Sequence, residues 1–149
     1  MVALEVPLVL NLQRRAETEA ERIAQAQAQT IAADLGSRTP AERRDPEEVQ
    51  DLVDRYADIV NGRIVVVGED GIVVADSAGP EQVGVDYATV ARPEVVAAVD
   101  ADVPASDQRY SEVLGQDILA TAVPVFVRGE PDGGAVRITT PIAARPIVV

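Results

Sequence analysis

Residues 63–76 read RIVVVGEDGIVVAD, and no other stretch limits the fold so tightly. Two β-branched runs, Arg63 to Gly68 and Ile72 to Asp76, flank Glu69-Asp70-Gly71. A turn that short leaves no room for a crossover, so the runs pair as an antiparallel hairpin. Three more runs read as strands: QRYSEVL at 108–114, ILATAVPVFV at 118–127 and AVRITTPI at 135–142. Gly115-Gln116-Asp117 and the RGEPDGG segment at 128–134 separate them as turns. Pro124 lies inside the longest run and keeps that end from pairing on both edges. Between the second and third strands, residues 77–91 (SAGPEQVGVDYATVA) form a loop, and PEVVAAVD at 93–100 forms a short helix opened by Pro93.

Upstream of Asn61-Gly62 the period is helical. Residues 13–35 contain neither Gly nor Pro and are rich in Ala, Gln, Glu and Arg, which are good helix formers. Leu12, Ala16, Ala20, Ile23, Gln27, Ile31 and Leu35 recur at three- and four-residue steps, drawing one narrow stripe. Pro7 is tolerated in a first turn and Gly36 is a natural stop, so the helix runs roughly 30 residues. A rod of that length outruns a body of about 100 residues. Its small-residue seam fits a parallel dimer stalk; the alternative is a monomer whose helix lies across the sheet. Residues 37–44 read as a polar loop. Asp45 then caps a second helix, with Pro46 at its first position and Glu48 three residues on, as in a capping box. Val49, Leu52, Val53, Tyr56, Ile59 and Val60 form its apolar face. Two helices followed by five strands and one inserted helix define an α+β chain, with one antiparallel sheet and helices on one face.

Composition removes several function classes. The 149 residues make one domain. There is no Cys and no His, which excludes disulfides, thiol nucleophiles, Ser-His pairs and the common zinc sites. The chain carries a formal charge of −12, with Arg as its only basic residue type, and is a poor partner for nucleic acid, whose phosphates need a basic face to neutralise them. No cofactor signature is present. The apolar start at residues 2–12 (VALEVPLVLNL) is too short to cross a membrane. It reads either as the outer end of a membrane helix cut at Met1 or as an apolar first turn. Residues 143–149 read as a linker.

The combination of a long first helix, GRIVVVGEDGIVVADS, ARPEV, RYSEVLGQDILATAVPVF and GAVRITTP resembles the extracytoplasmic sensor domains of actinobacterial membrane histidine kinases. These are of the PDC or single-Cache, PAS-like class. The likeness spans roughly residues 5–142, and it implies a five-stranded antiparallel sheet of order 2-1-5-4-3. It divides the chain into a stalk helix at 1–36, a sensor body at 37–142 and a linker at 143–149. It also implies flanking membrane helices, a homodimer in the full-length protein, an extracytoplasmic location at the cell membrane, and no catalysis by the domain itself. The expected function is signal sensing for a two-component histidine kinase. The alternatives are a ligandless dimerisation module and a divalent-cation-responsive sensor.

In the resembled class a small ligand sits on the outer face of the sheet, under the connection between the second and third strands. Here that cover is residues 77–107. Tyr87, Arg92, Arg109, Tyr110 and Ser111 are the polar groups available to converge there, and an Arg fork reads a carboxylate bidentately. The partner class would be a small anion. In the structural alternative Arg92 pairs with Glu94 or Asp107 at the surface and Tyr110 is core. Arg137 falls on the last strand, facing either the pocket or solvent. A second candidate is the acidic side of the second helix, where Asp51, Asp54 and Asp58 share one face and could attract a divalent cation. They read equally as a solvated surface, and no EF-hand loop accompanies them. Paired carboxylates for acid-base chemistry would be Asp70/Asp76 or Glu112/Asp117, but Asp70 and Asp117 each have a sufficient reason to exist as turn residues.

Overall fold

A computed structural model describes residues 5–112 and 115–142 and, within the first helix, side chains from Glu19 onward. The apolar start at 2–4, Val113, Leu114 and the tail at 143–149 lie outside the described residues, as do the side chains of Leu12 and Ala16.

The elements are α1 (Glu5–Gly36), α2 (Pro40–Arg44), α3 (Pro46–Ala57), β1 (Arg63–Val67), β2 (Val73–Asp76), α4 (Pro93–Asp100), β3 (Ala105–Ser111), β4 (Gln116–Val127) and β5 (Glu130–Pro141). A single 3-10 turn at Pro80–Gln82 sits between β2 and α4. The five strands form one sheet of order β2-β1-β5-β4-β3, and every pairing is antiparallel.

The strands alternate cleanly, as the pleat requires. Ile64, Val66, Val123, Val125, Val136 and Ile138 point to one side and pack with Ala28, Ile31, Leu35, Val49, Leu52 and Val53 of α1 and α3. Val65, Val67, Val73, Ala122 and Ala135 point to the other side, where they meet Tyr87, Val95 and Ala98. Helices therefore cover both faces, not one. The inserted α4 takes the second face because its apolar Val95 and Ala98 need a surface that α1 and α3 leave free.

Several boundaries differ from the sequence reading for identifiable reasons. Residues 40–44 are helical, not loop: Thr39 and Glu42 exchange both bonds of a capping box, Glu42 N–H to Thr39 Oγ1 at 3.2 Å and Thr39 N–H to Glu42 Oε1 at 3.1 Å. Asp45 does cap α3, but through Glu47 N–H at 3.0 Å. α3 stops at Ala57, which leaves Ile59 exposed while a turn carries Val60 back into the core. The buried stripe of α1 is Ala24, Ala28, Ile31, Ala32 and Leu35; Ile23 is 53% exposed, outside it. Gly36 is not a left-handed stop. A side chain there would meet the backbone oxygen of Phe126 at 2.2 Å, so Gly36 lets the end of α1 rest directly on β4.

β3 begins three residues earlier than expected, because its pairing with β4 runs from Ala105 opposite Ala122 to Ser111 opposite Gln116. β5 begins five residues earlier. Arg128 (φ 53) and Gly129 (φ 80) form a two-residue turn with both dihedrals positive, so pairing resumes at once with Val127 opposite Glu130. The ladder shifts register between Pro124 and Phe126, where the missing N–H of Pro124 interrupts it.

Two polar ties hold α3 in place, one to the hairpin and one to α1. The side-chain amide of Gln50 donates to Asp76 O at 2.9 Å and accepts from Asp76 N–H at 3.2 Å, completing the free edge of β2 as a further strand would. Tyr56 on α3 donates to Asp34 Oδ2 on α1 at 2.8 Å. Leu52 is fully buried between α1, α3 and the sheet, so Leu52→Ala should cost about 2–5 kcal/mol in urea unfolding. Val90→Ser, at a side chain 99% exposed, should leave the midpoint unchanged.

Candidate functional site

The loop after β2 is laid back over the hairpin before α4 begins. Val73 N–H donates to Val85 O and Tyr87 N–H to Gly71 O, each at 2.9 Å. Gly71 has φ +80, and a side chain there would meet Cβ of Ala88 at 2.4 Å, so only glycine seats this loop. Tyr87 is thereby buried on the second face of the sheet, with the Arg92 guanidinium stacked 3.8 Å from its ring centroid. Arg137 lies 5.6 Å from the same ring.

The central feature is a buried carboxylate, Glu94, which the sequence offers only as one alternative surface partner of Arg92. Glu94, at the second position of α4, is 1% exposed. Arg109 of β3 forks onto it, Nη2 to Oε1 at 3.1 Å and Nη1 to Oε2 at 3.2 Å. Arg137 of β5 adds Nε to Oε1 at 3.0 Å and is itself 5% exposed. Arg109 Nη1 also donates to Asp107 Oδ2 at 2.6 Å. Burial pushes the Glu94 carboxyl up, but hydrogen bonds and charge from Arg109 and Arg137, with a backbone N–H, outweigh it and hold the group below its ordinary value. Desolvation lowers the Arg137 guanidinium despite Glu94. The same burial acts on Arg109, where Glu94 and Asp107 prevail and raise it.

Two positions along the same face from Arg137, Arg63 forms a two-pronged ion pair with the buried Asp76, with Nε to Oδ1 at 2.9 Å. Opposite-strand register puts Arg63, Arg137, Asp76, Asp107 and Arg109 all on the α4 side. Four arginines, Arg92 included, thus meet three carboxylates there, a local positive excess on a chain of −12.

Of the five residues expected at the ligand face, Tyr87, Arg92 and Arg109 come together. Tyr110 does not: it is 61% exposed, because adjacent residues of a strand face opposite ways and Arg109 faces inward. It is not a core residue either. Ser111 sits at the end of β3 opposite Gln116, on the Arg109 side. Arg137 does face the site, and Glu94 was missed as a site member. Its signal was the Pro93-Glu94 start of a helix that must lie on the only free apolar face.

Asp51, Asp54 and Asp58 are exposed. Asp54 accepts from Gln50 Nε2 at 2.9 Å, and Asp58 ends α3. Among the described residues no group of three or more carboxylates is arranged to hold a metal ion. None of the described helices is long and apolar enough to cross a membrane.

No family model matches the chain, and no curated protein matches it in sequence. Solved structures do. The fold is that of PDC/Cache-type extracytoplasmic sensor domains, with the same 2-1-5-4-3 sheet. The sensory domain of the Campylobacter jejuni chemoreceptor Tlp3 with isoleucine bound is similar at TM-score 0.67 and 13% identity, over 89% of this chain and 56% of that one. The V. cholerae histidine kinase DctB sensor domain is similar at TM-score 0.60 and 14% identity, over 92% and 57%. The E. coli DcuS sensor domain is similar at TM-score 0.64 and 15% identity, over 85% and 92%. The chain therefore spans a little over half of the chemoreceptor and DctB chains.

Removing Glu94 leaves the buried Arg137 without a counter-ion and Arg109 with Asp107 alone. Glu94→Gln should destabilise the fold by about 3–5 kcal/mol at neutral pH, read by urea unfolding. Because the folded carboxyl titrates below 4.5, the stability it contributes is complete above that value and is lost as pH falls through the folded value. The gap between wild type and Glu94→Gln should therefore close in strong acid and stay constant from pH 6 to 8.

Proposed function

We propose that this chain is the extracytoplasmic signal-sensing domain of a membrane-bound two-component sensor histidine kinase, and that it performs no chemistry itself. The observation that carries this reading is the arginine cluster of Arg92, Arg109 and Arg137 around a buried carboxylate, beneath the cover of Tyr87 and α4. Guanidinium forks fixed on a sheet are a seat for a small carboxylate or similar anion. The sheet likeness to sensor domains of a chemoreceptor and of histidine kinases supports the same role. In this reading residues 1–36 are the stalk that continues toward the membrane, residues 37–142 the sensor body and residues 143–149 the linker onward. Signal binding shifts the population between two packings of the sheet on α1, and paired α1 helices of a homodimer pass the change on.

A second reading, a ligandless interaction module, draws on the apolar cluster of Tyr87, Val95 and Ala98, which packs directly on the sheet. Thermal melts separate the two. Small carboxylates, amino acids and calcium are each tested against salt-matched buffer. A ligand at one hundred times its dissociation constant adds ~2.7 kcal/mol, which for a domain of this size raises Tm by about 5–10 °C. The sensing reading expects one anionic class to do this and calcium not to. If no class moves the midpoint, the ligandless module takes its place.

A further inference from the structure

The seat described above is already taken by the chain's own side chain. We infer that Glu94 is a tethered occupant of the arginine site: a signal carboxylate binds by displacing it and freeing the first turn of α4. This rests on the sensing reading and says how the site is regulated.

Three observations carry it. The arginines belong to the sheet and the carboxylate to the cover. Arg109 and Arg137 stand on β3 and β5, each paired along its length with β4, so their positions persist when α4 moves. Glu94 stands in the first turn of an eight-residue helix whose N-cap, Arg92, offers no side-chain cap. The first backbone bonds of that helix, Val95 N–H and Val96 N–H to Arg92 O at 3.0 and 3.2 Å, are held next to a loop tip at Val90 that contacts almost nothing. The ionic tie of Glu94 is thus the main polar hold of α4 on the strands.

The exchange is also balanced in charge. A free carboxylate accepts the same fork from Arg109 and the same Nε–H from Arg137, so no arginine is stranded. The face holds one more arginine than carboxylates. Arg92 stacks on Tyr87 and has no ion pair among the described residues, which leaves a cation beside the rim for the expelled Glu94. A tethered competitor lowers the affinity for a free one by the fraction of molecules in which it has let go. The wild-type site should therefore respond weakly to simple monocarboxylates, and removal of Glu94 should unmask it.

The test uses sodium propionate, which reproduces the end of a glutamate side chain, against sodium chloride at equal ionic strength. Glu94→Ala should bind propionate on the order of 10- to 100-fold more tightly than wild type, read by titration calorimetry. In wild type, tens of millimolar propionate should speed amide hydrogen exchange at Val95 and Val96 while leaving β5 amides unchanged. That second measurement needs no variant, so it stands if Glu94→Ala fails to fold. The inference is overturned if propionate rescues Glu94→Ala but never alters wild-type exchange, for Glu94 is then a permanent strut. It is also overturned if a folded Glu94→Ala binds no carboxylate. A wild-type protein that binds some ligand while the Val95 and Val96 amides become more protected would sink displacement and leave the sensing reading standing. Failure of every anion on both proteins would remove both.

Discussion

The ladder between β1 and β5 is the constraint on which the molecule depends. Arg63 through Val67 pair with Thr139 back to Ala135, joining two parts of the chain that are otherwise separate hairpin systems. On one side lie α3 and the β1–β2 hairpin, on the other the β3–β4–β5 meander under α1. Loop closure over some seventy residues must be offset by this pairing and by the cores on either side of it. The buried Ile64, Val66, Val136 and Ile138 on one face, and Val65, Val67 and Ala135 on the other, supply the apolar area that does so.

The same ladder places charge where a sheet would normally be greasy. Arg63 and Arg137 stand two positions apart along the second face, and each finds a buried acid: Asp76 from the edge strand, Glu94 from the cover. Such pairs cost much in desolvation and return it only with close geometry, so they contribute little net stability for their burial. What they do provide is position. Glu94 sets where α4 lies over the strands, and Asp76, held by Gln50 as well, sets where α3 lies beside the hairpin. A strongly acidic protein thereby places four of its thirteen arginines on one covered face.

Most of this architecture was legible in the residues. The Glu69-Asp70-Gly71 turn, the Pro93–Asp100 helix and the Asp45 cap are local, and local chemistry decided them. The sheet order came by likeness and was matched in full. Errors arose where distant packing overrode spacing. Ile23 has the right period but the wrong azimuth, because the contact surface of α1 is set by Ala24 and Ala28 fitting closely against strands. Ser37 to Arg44 looked like loop because a five-residue helix has no amphipathic period to read; its Thr39–Glu42 capping box was visible and went unread. For the site, Tyr87, Arg92 and Arg109 were identifiable as polar groups near a cover. Tyr110 was included against the two-residue period of its own strand, and the burial of Glu94 could not be seen without knowing that two arginines from strands distant in sequence meet above it.

β5 lies at the centre of the sheet with an arginine beneath it and aliphatic residues above. Arg137 touches the covered face, while its neighbours Val136 and Ile138 are sunk among Ala28 and Ile31 of α1. Successive side chains of a strand leave on opposite faces, so one backbone separates these two environments. A single extended segment, held on both edges, is thus the whole partition between the arginine face and the long rod.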